Sequence, residues 1–308
     1  MNPVVRAMLL LAIAMTLIPF MDAIAKELST DHGLAPVSVA FGRFVSQTVI
    51  LLCIFATLHI RRRSKPSSFV PPMRPARIPV HLTRGALHGG SSLLFFVAIK
   101  YMPLADTIAV FFVEPMILML LASWFLGETI GWPRRIAAVI AFAGALLIIQ
   151  PSYELFGPVS LLPLGAAMFF ALYLLFTRRF GIDEHPFTMQ LWSGMGAMTS
   201  TALVLVVGTA VGADDYRLTI PDNAGPLLLF LAIGIVSTIA HVLVVMAFKL
   251  ANASVLAPFN YLEIVTATIV GYVLFDEFPG LLQWIGISII IGTGLFVFFR
   301  ERKVAGLA

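Results

Sequence analysis

Glu114 and Glu263 each fall near the middle of an apolar run of roughly 20 residues, the length that crosses a bilayer. An ionisable group at that depth costs about 3 kcal/mol or more to insert. It is tolerated only when it faces a polar cavity, bonds a partner or is held neutral. Two roles fit such a carboxylate. One is a substrate or ion site. The other is a protonated glutamate bonded to a neighbouring helix, which would lock the structure. Glu114 is followed by Pro115, which has no backbone N–H and leaves a carbonyl free one turn earlier, near Phe111. A weakened helix beside a buried carboxylate suits a site.

Other polar side chains recur at helical spacing inside apolar runs. His81, Arg84, His88, Ser91 and Ser92 fall three or four residues apart, so one face of that helix must turn away from lipid. Gly85 and Gly89 lie beside this stripe as a small-xxx-small pair that permits close helix contact. Arg84 suits an anionic substrate group, a pairing with Glu114, or a snorkel to the inner surface. His88 lies deeper, either as a satisfied packing histidine or in a cavity wall. Asp22 and Lys26 are spaced i, i+4 and pair on the simplest reading. Arg43, one turn before Gln47, neutralises Asp22 or faces a pathway. Ser237, Thr238 and His241 echo the first stripe, and Asn260 and Tyr261 lead into Glu263. Tyr173 and Trp192 could stack against a ring or a cation. With 25 Phe in the chain, ordinary packing is the plainer role for any one aromatic.

The elements that must position these residues come in two copies. Residues 95–132 align without a gap on residues 244–281. Lys100 meets Lys249, Glu114 meets Glu263 and Glu128 meets Glu277, at one offset of 149 residues (100 to 249, 114 to 263, 128 to 277). The chain is 59% hydrophobic and 12% charged, against about 25% charged in soluble domains, so it reads as a polytopic helical membrane protein. Short alternating segments of the β-barrel kind are absent from the sequence. We place ten transmembrane helices near 5–26, 36–60, 79–101, 104–126, 133–150, 157–179, 187–211, 225–248, 253–275 and 280–299. With both termini cytoplasmic, 16 of the 20 Lys and Arg fall at inner ends, which sets the orientation. Five helices per half is an odd number, so the two five-helix repeats, residues 1–150 and 157–303, must be inverted relative to one another.

Several classes are excluded or weakened. The net charge of +4 comes from basic residues at the ends of alternate apolar runs and is no nucleic-acid signal. No GxxxxGK[ST] motif or Cys/His cluster points to a nucleotide-driven motor, a metal or a cofactor. A membrane-embedded enzyme would want clustered carboxylates or a His/Asp pair at one interface, and the nearest candidate, Asp214–Asp215, sits in an expected outer loop with no nearby histidine. A non-transporting scaffold would pack its polar stripes shut. The Gly–Glu and Asp–Glu pairs before helices five and ten read as helix-end and turn residues.

At the paired segments, FVAIKYMPLADTIAVFFVEPMILMLLASWFLGETI and MAFKLANASVLAPFNYLEIVTATIVGYVLFDEF, the chain resembles the EamA-type domain of the drug/metabolite transporter superfamily. The shared features are Ala98, Lys100, Ala105 and Glu128, then Ala247, Lys249, Ser254 and Glu277. The resemblance implies an all-α fold with a central cavity, residence in the bacterial inner membrane and alternating access. Its members carry amino acids, purines, sugars, riboflavin, S-adenosylmethionine and amphipathic amines. The C-terminal segment is most similar to the branch with riboflavin and S-adenosylmethionine carriers. The expectation is therefore a secondary transporter, not an enzyme, of a small polar or aromatic metabolite. Its partners are that small molecule and the lipid bilayer, without nucleic acid, and assembly as a homodimer is left open. Glu114 and Glu263 form the centre of the expected site, with Asp22, Arg43, Arg84, His88, His241, Asn260, Tyr173, Tyr261 and Trp192 around them.

Overall fold

A computed structural model describes residues 3–64, 70–126, 131–181, 184–221, 223–251, 256, 259–260 and 262–304. Glu128 and Tyr261, both singled out above, lie outside the described residues. The helices are α1 Pro3–Thr30, α2 Pro36–Ser64, α3 Ile78–Tyr101, α4 Leu104–Phe111, α5 Glu114–Leu126, α6 Trp132–Phe156, α7 Leu162–Phe180, α8 Pro186–Val211, α9 Gly225–Leu250, α10 Leu262–Phe275 and α11 Leu281–Val304. Short 3-10 turns occupy Gly157–Leu161 and Asp214–Tyr216. No strand occurs among the described residues. Among the described residues, seven helical segments are long and apolar enough to cross a membrane, the segment Leu104–Phe125 spanning α4 and α5 among them. Shorter apolar stretches lie at Arg135–Gly144, Leu262–Phe275 and Leu281–Thr293. The chain is thus an all-helical membrane protein.

Proline sets many of the starts. A proline occupies the first or second position of α3, α6, α7, α8 and α9, where its missing N–H costs no helical bond. Gly212 ends α8 in the left-handed conformation at φ +71, and the Ala213 N–H closes the cap on the Gly208 carbonyl. Large apolar side chains such as Trp124, Val139, Val206, Leu228 and Val273 stand exposed on the outside, a surface that suits hydrocarbon.

The run expected as one helix over 104–126 is interrupted. α4 stops at Phe111 and α5 begins at Glu114. Pro115 cannot donate to the Phe111 carbonyl, so the ladder fails there. The chain tightens instead: the Val113 N–H reaches the Val110 carbonyl at 3.3 Å, three residues back. This break places Glu114 in the first turn of α5, near the positive end of that helix.

α3 lies against α7 and α8, α1 against α9, and α2 against α8 and α9. At the α3–α8 crossing the two backbones touch. A Cβ on Gly85 would lie 2.1 Å from the Ser193 carbonyl oxygen, and one on Gly196 would lie 2.3 Å from that of Leu82. Neither carbonyl can move without shifting a helix. Gly85→Ala is therefore expected to destabilise the protein by about 1–3 kcal/mol, read as a lower melting temperature in detergent. At Gly90 the nearest atom is a Phe169 ring carbon at 3.5 Å, so Gly90→Ala should be tolerated and serves as the control.

Candidate functional site

Arg43 is the hub. It projects from α2, is 1% exposed, and reaches side chains of two other helices. Its Nη1 donates to Ser92 Oγ on α3 at 2.8 Å. Its Nη2 contacts His88 Nε2 on α3 at 3.2 Å and His241 Nε2 on α9 at 3.3 Å. A guanidinium carries only donors, so both imidazoles must accept at Nε2. Each is then the neutral tautomer with its proton on Nδ1. His241 donates that proton to the Ser237 carbonyl, one turn earlier on α9, at 2.9 Å. The Nδ1 of His88 has no hydrogen-bond partner among the described residues. The two imidazole rings lie 4.5 Å apart.

These residues line a small cavity between α1, α2, α3, α7, α9, the α4–α5 break and the start of α10. Asp22, Glu114, Glu263 and Asn260 line it together with Arg43, His88 and His241. Both glutamates are buried, at 2% and 6% exposure, and so face the interior rather than lipid. Glu114 Oε1, Asn260 Oδ1 and Arg43 Nε have no partner among the described residues. Phenylalanines supply much of the remaining wall, including Phe95, Phe111, Phe170 and Phe248.

Arg84 is placed differently from each expected role. It neither snorkels nor pairs with Glu114. Fully buried, it donates from Nε to Thr177 Oγ1 (2.7 Å), from Nη1 to the Met189 carbonyl (3.0 Å) and from Nη2 to Tyr173 Oη (3.0 Å). It holds α3 to α7 and α8. Tyr173, which the spacing put forward for substrate stacking, lies behind the cavity wall and stacks on His88 at 4.7 Å. Trp192 is a correction. Its indole N–H donates to the Met73 carbonyl at 2.8 Å, and it packs beside Leu51, Phe55 and Leu191, away from the cavity. An amphipathic ring satisfies its one donor where a loop carbonyl is free, which spacing along a helix does not disclose.

The i, i+4 pairing of Asp22 with Lys26 is replaced by a longer one. Lys26 forms an ion pair with Glu277 and donates to the Met102 carbonyl at 2.9 Å. Glu277 Oε2 also accepts from the Leu104 N–H at 2.9 Å. Glu277 thus does more than end a helix: it ties α1, the α3–α4 turn and the α10–α11 connection together. Nearby, Lys100 binds Asp215 at 2.6 Å, with Tyr101 donating to the same carboxylate. The remote Glu277 partnership was carried by no local spacing, though its place in the repeat marked the residue.

Buried charges enclosing a cavity within an all-helical, lipid-facing shell define a polytopic membrane protein with an internal polar compartment. The EamA-like transporter family model matches residues 5–150 and 158–299, and the chain belongs to that family. It is 31% identical over 282 residues to an S-adenosylmethionine uptake transporter of Rickettsia conorii, covering 92% of this chain and 88% of that one. It is 25% identical over 283 residues to a riboflavin transporter of Vibrio cholerae, covering 92% and 89%. A solved crystal structure superposes with a TM-score of 0.68 at 19% identity, over 96% of this chain and 98% of the other, and shares the fold.

Proposed function

We propose that this protein is a secondary transporter that moves a small polar or aromatic metabolite across the cell inner membrane by alternating access. S-adenosylmethionine and riboflavin are the first substrates to test, given the relatives, with amino acids and purines next. The observation that carries the reading is the cavity. It gathers Asp22, Arg43, His88, His241, Asn260 and both glutamates from segments on either side of residue 150. A scaffold would have no use for so many uncompensated polar groups at one point.

In this reading the chain forms ten spans in two inverted halves, residues 1–150 and 157–303, with both termini cytoplasmic. Paired packing supports it. α1 lies on α9 as α7 lies on α3, and α5 lies on α7 as α10 lies on α1. Each contact is matched by its counterpart when the halves are exchanged. The ties through Lys26, Glu277, Lys100 and Asp215 would then close the outer end.

The test is uptake or counterflow in proteoliposomes of purified protein. If transport is coupled to protons, Glu114 carries the proton, with Glu263 second. Glu114→Gln should then remove the pH dependence and slow uptake about tenfold or more. A variant with wild-type rate and pH profile ends that role for Glu114.

A further inference from the structure

A second polar cluster lies outside the cavity, where α8 packs against α2 and α3. Gln47, Thr48, Gln190 and Ser193 are buried, and none of them lines the cavity. Gln47 Nε2, Thr48 Oγ1, Ser193 Oγ and both side-chain polar atoms of Gln190 have no hydrogen-bond partner among the described residues. α2 and α8 meet at Gly194: a Cβ on that residue would lie 2.9 Å from Thr48 Oγ1 and 3.6 Å from Gln47 Nε2. Gln190 sits one turn before Gly194 and Ser193 next to it, so one stretch of α8 carries all three positions to the junction. Buried polar atoms gathered in this way are too costly to leave unmet.

Their own helices do not meet them. Hydroxyls further along α8 turn back onto it: Thr201 donates to the Ala197 carbonyl at 2.8 Å and Thr209 to that of Leu205 at 2.7 Å. For Ser193 the equivalent carbonyl is that of Met189, which already accepts from Arg84 Nη1 at 3.0 Å. Its hydroxyl is left to the junction. The group that answers must both donate and accept. Gln190 offers amide N–H groups and an amide oxygen, Gln47 offers further N–H groups, and the two hydroxyls serve either way. A cation would meet only the oxygens, and an anion only the N–H and O–H donors. Water meets both kinds, with about three hydrogen bonds to each buried molecule.

The junction is connected to the Arg43 hub. Gln47 lies one turn after Arg43 on α2, and its Oε1 accepts from Ser237 Oγ on α9 at 3.2 Å. The Ser237 carbonyl accepts from His241 Nδ1, and His241 Nε2 accepts from Arg43. We propose that Gln47, Thr48, Gln190 and Ser193 hold ordered water between α2 and α8, and that this water fixes the Gln47 amide so that Ser237 orients His241 toward Arg43. Gln47 and Gln190 are then positioning residues, acting on the cavity through the α2–α9 bridge. Hydration, not a direct side-chain bond, joins α8 to that bridge. The site is independent of which compound the cavity carries.

The experiment is water-edited solid-state NMR of nitrogen-labelled full-length protein in liposomes. Magnetisation from water should reach the side-chain amides of Gln47 and Gln190 but not the backbone amide of Leu11, which is equally buried. Gln190→Leu should cut transfer to the Gln47 amide several-fold and move the His241 nitrogen shifts, while His88, held by Arg43 from α3, keeps its own. Gln190→Asn, which keeps the amide on a shorter stem, should restore part of both effects. Ser193→Ala is the milder second probe should Gln190→Leu fold poorly, and it should weaken the transfer in the same direction. No transfer to either amide in the wild type, or unmoved His241 shifts in a folded Gln190→Leu, overturns the proposal. So does a saturable response of the Gln47 and Gln190 signals to sodium, which would put a cation at the junction instead. Every readout is made without a transported compound, so its failure and a failure of the transporter reading are distinguishable.

Discussion

Arg43→Ala is expected to abolish uptake and to cost about 3–5 kcal/mol of stability. The side chain supplies donors to Ser92, His88 and His241 at once, joining α2 to α3 and α9. Truncation leaves three buried acceptors without their donor and removes the cavity-lining guanidinium that stands beside Asp22. Charge-assisted hydrogen bonds of this kind contribute about 1.5–3 kcal/mol each, and the loss of several is only partly offset by entering water. Arg43→Lys tests geometry separately from charge. An ammonium keeps the positive charge but lacks the planar fork that spans two imidazoles, so uptake should fall well below wild type with stability largely kept. The nitrogen shifts of labelled His88 and His241 provide a direct readout. Both rings should report Nδ1–H tautomers in the wild type, and a mixed population in Arg43→Ala. Wild-type uptake by Arg43→Ala would remove the bridge from any functional role.

Lys26→Met is expected to loosen the end of the bundle where the Lys26–Glu277 pair ties α1 to the α10–α11 connection. Lys26 is 7% exposed at its side chain and Glu277 20%, so the pair is shielded from screening by water. Losing one member strands the other, a penalty of about 3–5 kcal/mol against the closed arrangement. It also frees the Met102 carbonyl at the α3–α4 turn. The measurement is thiol-reagent access to a cysteine at Ile18, which lines the cavity, in a Cys53→Ser background because Cys53 is itself exposed. Labelling from the side of the pair should rise in Lys26→Met and in Glu277→Gln. It should fall back toward wild type in the double variant Lys26→Met, Glu277→Leu, where no charge is stranded. Equal labelling in all four proteins would show that the pair does not govern closure.

These outcomes separate the two kinds of knowledge the chain contains. The stripe on α3 was legible from spacing because a bilayer forbids unpartnered polar groups on the lipid face. All five members, His81, Arg84, His88, Ser91 and Ser92, are buried. The break at Phe111 was legible in outline from Pro115, since a missing N–H is a local fact. Roles within the stripe were not legible. Arg84 and His88 are one turn apart, yet one bolts helices together and the other faces the cavity. Spacing along one helix says nothing about which neighbour supplies an acceptor.

By itself the sequence determined the solvent of this protein, its duplicated pattern and the few polar residues that must avoid lipid. Those follow from composition and period alone, because hydrocarbon penalises exposed charge whatever the packing. Only the tertiary structure decided partnership: Lys26 with Glu277 instead of Asp22, Trp192 with a loop carbonyl, and Arg43 between His88 and a histidine 198 residues further along the chain than Arg43 itself. Such bonds depend on which helices cross and at what height, and that is settled where bare backbone meets bare backbone, as at Gly85 and Gly196.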